Sequence, residues 1–320
     1  MTSETFLPDT ATTTAAASGP GTPGTTATTS APDAPSGPSI PSGPSVPSVP
    51  DALRPWLQAL HSSSARLSDT VAGLSEQDLR RPSMADGWSI AQVLSHLGSA
   101  AEISTRLLER GIAGDERGPA PEDLKPVWER WDALPPLAQR EAWRTADARH
   151  LRLLDSLTAE QRQSVRVPYF AGLLGVAAYA GYRLSEHSVH AWDVEAALTR
   201  GATVPAAEAV LLRERLDLVA TRFRDAATLA RLAPAQLTVR LTEPDGSNIS
   251  STTNTTSTLL LDLGNELHLY PCEPAEPAGT VTTTAEAFLR LVYGRSLPTD
   301  EIRTTGTVTR ADLEALFPGF

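Results

Sequence analysis

The sequence predicts a mainly helical protein, with a helix bundle over residues 51–232 followed by a small α+β domain over 233–320. Three features carry this expectation. Between Asp51 and Leu232 the apolar positions recur three and four apart, punctuated by helix caps and stops. After Pro234 the pattern changes to polar–apolar alternation. Residues 1–50 show neither period, and Thr, Ala, Ser, Pro and Gly dominate them. Such a composition cannot bury enough surface to offset the entropy of ordering, so a disordered tail is expected there, as a dispensable extension rather than a partner-binding arm.

The first helix is expected over about Ala52–Leu74. Ser89 and Gln92 form an S-x-x-Q capping box, with Ile90, Val93, Leu97 and Ile103 as the apolar stripe of a second helix. A loop rich in proline, with Pro119, Pro121, Pro126, Pro135 and Pro136, should lead to a third helix at about Leu137–Ser156. The fourth is expected over about Tyr169–Arg200, stopped by Gly201. Pro205 then opens a fifth segment, about Ala206–Leu232.

In the last part Gln236–Thr242, Thr258–Leu263 and Glu266–Tyr270 alternate as half-buried strands do. Gly264-Asn265 marks a tight hairpin between the last two. Asp245–Ser257 reads as a mobile polar loop. Its Asn248 and Asn254 sequons are taken as chance, because nothing indicates secretion. Thr283 and Glu286 should cap a helix running to about Tyr293, and Ala311–Phe317 a final short one.

The net charge of −11, from 27 basic and 38 acidic residues in 320, excludes a phosphate backbone as a natural partner. Lys125 is the sole lysine; the other basic residues are arginine. Cys272 is the only cysteine, which excludes an internal disulfide and a thiolate metal cluster. The longest apolar run, Ala171–Ala180, is too short for a bilayer span, which needs about 20 residues. No basic region followed by an apolar stretch opens the chain, so no signal peptide is expected and the expected location is the cytoplasm.

Metal or proton chemistry concentrates in SEHSVHAWDV, Ser185–Val194. On a helix Glu186 and His190 project about 40° apart, so a carboxylate and an imidazole share one face. His187 and His190, about 60° apart, could pair instead. Asp193, close to His190 on the helix, could orient an imidazole. A solvated helix face with an ordinary histidine would show the same spacing. His96, set among Val93, Leu97 and Ala100, should face the core. A lone core histidine is usually just hydrogen-bonded, but two histidines and one carboxylate would leave a coordination position open, as catalytic sites do.

Other groups are poorer candidates. His268 and Cys272 straddle a strand end and a proline, so helical spacing does not apply to them. His61 and His150 have no acidic partner nearby in sequence and are expected at the surface. Trp88, Trp128, Trp131, Trp143 and Trp192 are expected to pack cores rather than stack on ligands.

DGWSIAQVLSHLGSA (Asp86–Ala100) and EHSVHAWDV (Glu186–Val194) resemble the mycothiol-dependent maleylpyruvate isomerase family. The resemblance extends over roughly residues 51–320. It implies a DinB-like metal-binding four-helix bundle joined to a small α+β C-terminal domain. It implies His96, Glu186 and His190 as ligands of one divalent ion, expected to be zinc, with His187 a neighbour. It also implies mycothiol as the thiol cofactor and a functional arginine, Arg295, in LVYGRSLP. An arginine there could clamp a substrate carboxylate, or simply complement a helix C-terminus. The function expected on this basis is a metal- and thiol-dependent isomerase or S-transferase acting on a small electrophile. A non-catalytic metal sensor or regulatory module, and a metal-free scaffold, are the alternatives.

Overall fold

The computed structural model describes residues 51–242 and 258–319. The expected tail over 1–50 and the whole of the expected loop Asp245–Ser257, with its two sequons, lie outside them; so do residues 243 and 244 and Phe320.

Helix α1 (Arg54–Val71) buries Leu57, Leu60, Ser63, Leu67 and Val71, one side of the helix at spacings of three and four. Ser75 caps the short α2 (Glu76–Leu79). Helix α3 (Ile90–Ile112) starts at the expected box, with the Ser89 amide donating to Gln92 Oε1 (2.9 Å) and the Gln92 amide to Ser89 Oγ (3.3 Å). The proline-rich loop contains a helix that the sequence reading did not expect, α4 (Pro121–Asp132). Pro121 sits in its first turn, where a missing N–H costs nothing. Pro126 and Glu122, the residue one turn before it, are both exposed, so water can satisfy the carbonyl that Pro126 leaves unpaired.

Helix α5 (Pro136–Asp155) and the short α6 (Ala159–Ser164) follow. The expected fourth helix begins later than its apolar content suggested. Strands β1 (Arg166–Tyr169) and β2 (Gly172–Gly175) form an antiparallel hairpin ahead of it, with Gly172 at φ +99° directly after the turn. Helix α7 (Val176–Leu198) is buried almost continuously from Arg183 to Val194, which places its polar side chains inside the protein. Gly201 adopts φ +77° just beyond its end, as the stop signal required. Helices α1, α3, α5 and α7 pack on one another as the bundle.

The expected fifth segment is three helices, α8 (Ala206–Arg213), α9 (Leu216–Phe223) and α10 (Ala226–Leu232). Arg224 is extended, and the Asp225 side chain accepts from the Thr228 amide, so a new cap interrupts what reads as one periodic run.

A five-stranded sheet follows, ordered β5-β4-β3-β6-β7. Strands β3 (Ala235–Thr242), β4 (Thr258–Leu263) and β5 (Leu267–Tyr270) match the three alternating segments. Two were missed, β6 (Gly279–Thr284), parallel to β3, and β7 (Arg303–Gly306), antiparallel to β6. Helix α11 (Ala285–Val292) is capped by Thr284, not Thr283. Glu286 instead pairs with Arg290 and accepts from the Val204 amide (3.1 Å). A Thr309–Asp312 box caps α12 (Arg310–Leu316).

The sheet region bears directly on the helices. The Tyr293 hydroxyl donates to Ser185 Oγ on α7 (3.0 Å), and the Thr221 hydroxyl on α9 donates to the Leu267 carbonyl (2.7 Å). From Ala52 onward the described residues form one compact unit. Among them no helix is long and apolar enough to cross a membrane.

Candidate metal centre

Helix α3 turns His96 toward α7, where Glu186 and His190 stand one turn apart. His96 Nε2 lies 3.0 Å from Glu186 Oε2, and His190 Nε2 lies 4.0 Å from the same oxygen. The three residues offer one ligand atom each, all within 4.8 Å of one another. Glu186 and His190 are buried, and His96 is partly buried.

Burial opposes ionisation of Glu186, but the His96 hydrogen bond, with the charges of His96, His190 and Arg183, outweighs it and holds the carboxyl below its usual range. Burial likewise disfavours imidazolium at His96, more than Glu186 favours it, so its pKa lies below the usual value. An ionised carboxylate and a neutral imidazole are the forms that ligate a metal.

A second layer fixes His190. Its Nδ1 lies 2.9 Å from Asp193 Oδ2. An ionised carboxylate can only accept, so Nδ1 carries a proton and Nε2 is the nitrogen turned to the Glu186 side. Burial would raise the Asp193 pKa, but the His190 hydrogen bond and Arg295 charge lower it on balance. Arg295 Nε donates to Asp193 Oδ1 (3.1 Å) and Nη2 to Oδ2 (3.0 Å), a two-bond fork. Arg295 reaches α7 from the turn after α11, where Gly294 adopts φ +71° and a Cβ would lie 2.5 Å from Gly319 Cα.

The sequence reading therefore placed Arg295 near the site, but not its partner. The substrate clamp expected of it would need the guanidinium edge that Asp193 holds here. Trp88, expected as a core residue, is half-buried against the site instead: its ring centroid lies 5.0 Å from His96 and 5.9 Å from His190, stacked on the latter at 21°. Its place directly before the Ser89 cap of the His96 helix was the available signal.

His187 faces away from the cluster. Its Nδ1 lies 3.0 Å from Ser63 Oγ and its Nε2 3.8 Å from Asp147 Oδ1. His150, expected at the surface, is 1% exposed, with Nε2 2.6 Å from the Tyr179 hydroxyl, which itself donates to the Ser104 carbonyl. His61 is exposed beside Asp155. Trp131, Trp143 and Trp192 are core residues as expected. His268 lies beside Asp217 and Glu266, and Cys272 is exposed.

A narrow cleft of about 30 Å³ opens beside the cluster, with His96, Glu186, Ser99, Trp128, Tyr169 and Arg183 among its walls.

Residues 60–195 match the family described as Mycothiol maleylpyruvate isomerase N-terminal domain. The chain is 30% identical over 114 residues to a Geobacillus thermodenitrificans (strain NG80-2) protein named "Putative metal-dependent hydrolase"; the match spans 36% of this chain and 56% of that protein. The crystal structure of the mycothiol-dependent maleylpyruvate isomerase is similar in fold, with a TM-score of 0.57 and 18% identity over 80% of this chain and 95% of that one. A mutant of that isomerase matches with the same TM-score and coverage at 17% identity. The segment 60–195, which is similar to the mycothiol maleylpyruvate isomerase N-terminal domain family, carries His96, Glu186 and His190.

Proposed function

We propose that this protein is a metal- and thiol-dependent isomerase or S-transferase acting on a small electrophile, with mycothiol as the thiol. The convergence of His96, Glu186 and His190 beside a cleft carries this reading. The donor set of two imidazoles and one carboxylate suits a divalent ion, zinc foremost, and leaves a position for an external ligand. When bound, the ion would lower the pKa of a coordinated thiol, so that thiolate is available at neutral pH.

The chain's own residues would do the rest. Asp193 holds the His190 ring through Nδ1, which leaves Nε2 as the nitrogen that would ligate. Arg295 fixes Asp193 and thereby acts as a positioning residue. Trp88 shields the two histidines on one side. Cys272 is the sole cysteine and lies outside the cluster, so the attacking sulfur would come from a separate molecule.

Cobalt(II) substitution tests this. Addition of mycothiol to the cobalt-loaded protein should produce a sulfur-to-cobalt charge-transfer band at one thiol per chain, absent with the corresponding alcohol. A cobalt-loaded protein whose spectrum ignores thiols would overturn thiol dependence. The name of the Geobacillus relative favours a second reading, hydrolysis at the same centre. Ester or amide turnover by the metal-loaded protein without any thiol would support that reading instead.

A further inference from the structure

Arg183 stands one turn before Glu186 on α7 and lines the same cleft; its charge favours the Glu186 carboxylate, but it is not among the candidate metal ligands. The residue is only 1% exposed. Its Nε and Nη1 are buried without any hydrogen-bond partner among the described residues. Buried polar side-chain atoms are nearly always paired, and a buried guanidinium with idle donors is costly to keep. A hydrophobic residue of similar length would fill the same space without that penalty. The Tyr169 hydroxyl lies next to the guanidinium and lines the cleft as well. Arg295 differs in kind, because its fork is closed on Asp193.

We propose that Arg183 is the anion-holding residue of the cleft, binding a carboxylate of the small-molecule ligand one helical turn from the metal ligands. The inference deepens the metal-centre reading, since it places a second anchor beside that centre. Residues three apart on a helix have Cβ atoms about 5–6 Å apart. A carboxylate on Arg183 would therefore set an atom a few bonds away against the Glu186–His190 face. An acid whose electrophilic carbon lies close to its carboxylate would be oriented by this pair of anchors, and a neutral analogue would not.

Succinate and its uncharged diamide, succinamide, are the probes, titrated into the zinc-loaded protein. Binding is read by calorimetry and by fluorescence of the site tryptophans, Trp88 and Trp128. The wild type should prefer succinate by about tenfold or more. Arg183→Met should bind succinate no better than succinamide while keeping its zinc. Arg183→Lys, which retains the charge but not the fork, should fall between them and serves if Arg183→Met does not fold. Zinc-loaded variants that bind succinate as tightly as the wild type would overturn the proposal, since the carboxylate would then sit elsewhere. A zinc-loaded wild type that does not discriminate between the probes would overturn it too. Both results leave the metal centre standing, whereas a wild type unable to hold zinc would remove the centre itself.

Discussion

Asp193 joins two functions in a single side chain, accepting a hydrogen bond from His190 Nδ1 and the two-bond fork of Arg295. Partners behind a ligating histidine typically change metal affinity about 10–100-fold when removed. Asp193→Asn should weaken zinc binding within that range, measured by competition with a chelating dye. Arg295→Ala should also lower zinc affinity, because it frees Asp193. A residue acting only as a substrate clamp would lower turnover efficiency and leave zinc affinity unchanged, so the same titration separates the two roles. His150 offers a pH test away from the cluster. Burial, with the nearby charges of Arg183 and His187, holds its pKa well below the usual value. In the unfolded chain it takes a proton near pH 6.5, at about its ordinary pKa, while the folded protein resists. Stability present above that pH is therefore lost as the pH falls through it. The thermal midpoint should drop from about pH 6.5 downward, and His150→Gln should make that drop shallower.

Close packing at two glycines sets the position of α3. A Cβ at Gly98 would lie 2.2 Å from the Trp131 ring on α4, and one at Gly111 would lie 2.4 Å from the Arg166 carbonyl on β1. Alanine is the better helix former by about 1 kcal/mol, but overpacking of this kind costs about 1–3 kcal/mol. The Arg166 carbonyl is backbone and cannot swing aside, so Gly111→Ala should lower the urea midpoint; an unchanged or higher midpoint would contradict this packing. Helices announced by local chemistry were legible in the sequence, as at the Ser89–Gln92 box and the Gly201 stop. The hairpin at Gly264-Asn265 was legible for the same reason. Helix α4 was not, because Pro126 reads as a breaker unless its exposure is known. The β1–β2 hairpin was hidden by an apolar run that also suits a helix. Glu186 and His190 were legible because helical spacing alone puts them together, and the apolar neighbours of His96 pointed it inward, with the resemblance joining the three. The Asp193–Arg295 pair, the Trp88 stack and the burial of His150 depend on contacts between distant elements, which no local pattern records.

Across the whole molecule, the sheet region and the bundle meet at the metal centre. Tyr293 bonds Ser185 and Arg295 bonds Asp193, so the residues after α11 brace the part of α7 that carries Glu186 and His190. Metal binding should therefore stabilise both regions together. A ligand at about 1,000 times its Kd adds about 4 kcal/mol to a fold that binds it only when folded. Zinc should raise the thermal midpoint by several degrees while bundle and sheet still unfold in a single transition; separate transitions would show that the brace does not couple them. Metal analysis of purified variants tests the assignment of the three ligands His96, Glu186 and His190 most directly. Wild type and His187→Ala should each retain one divalent ion per chain, while His96→Ala, Glu186→Ala and His190→Ala retain none. Loss of metal in His187→Ala together with full retention in Glu186→Ala would contradict the account.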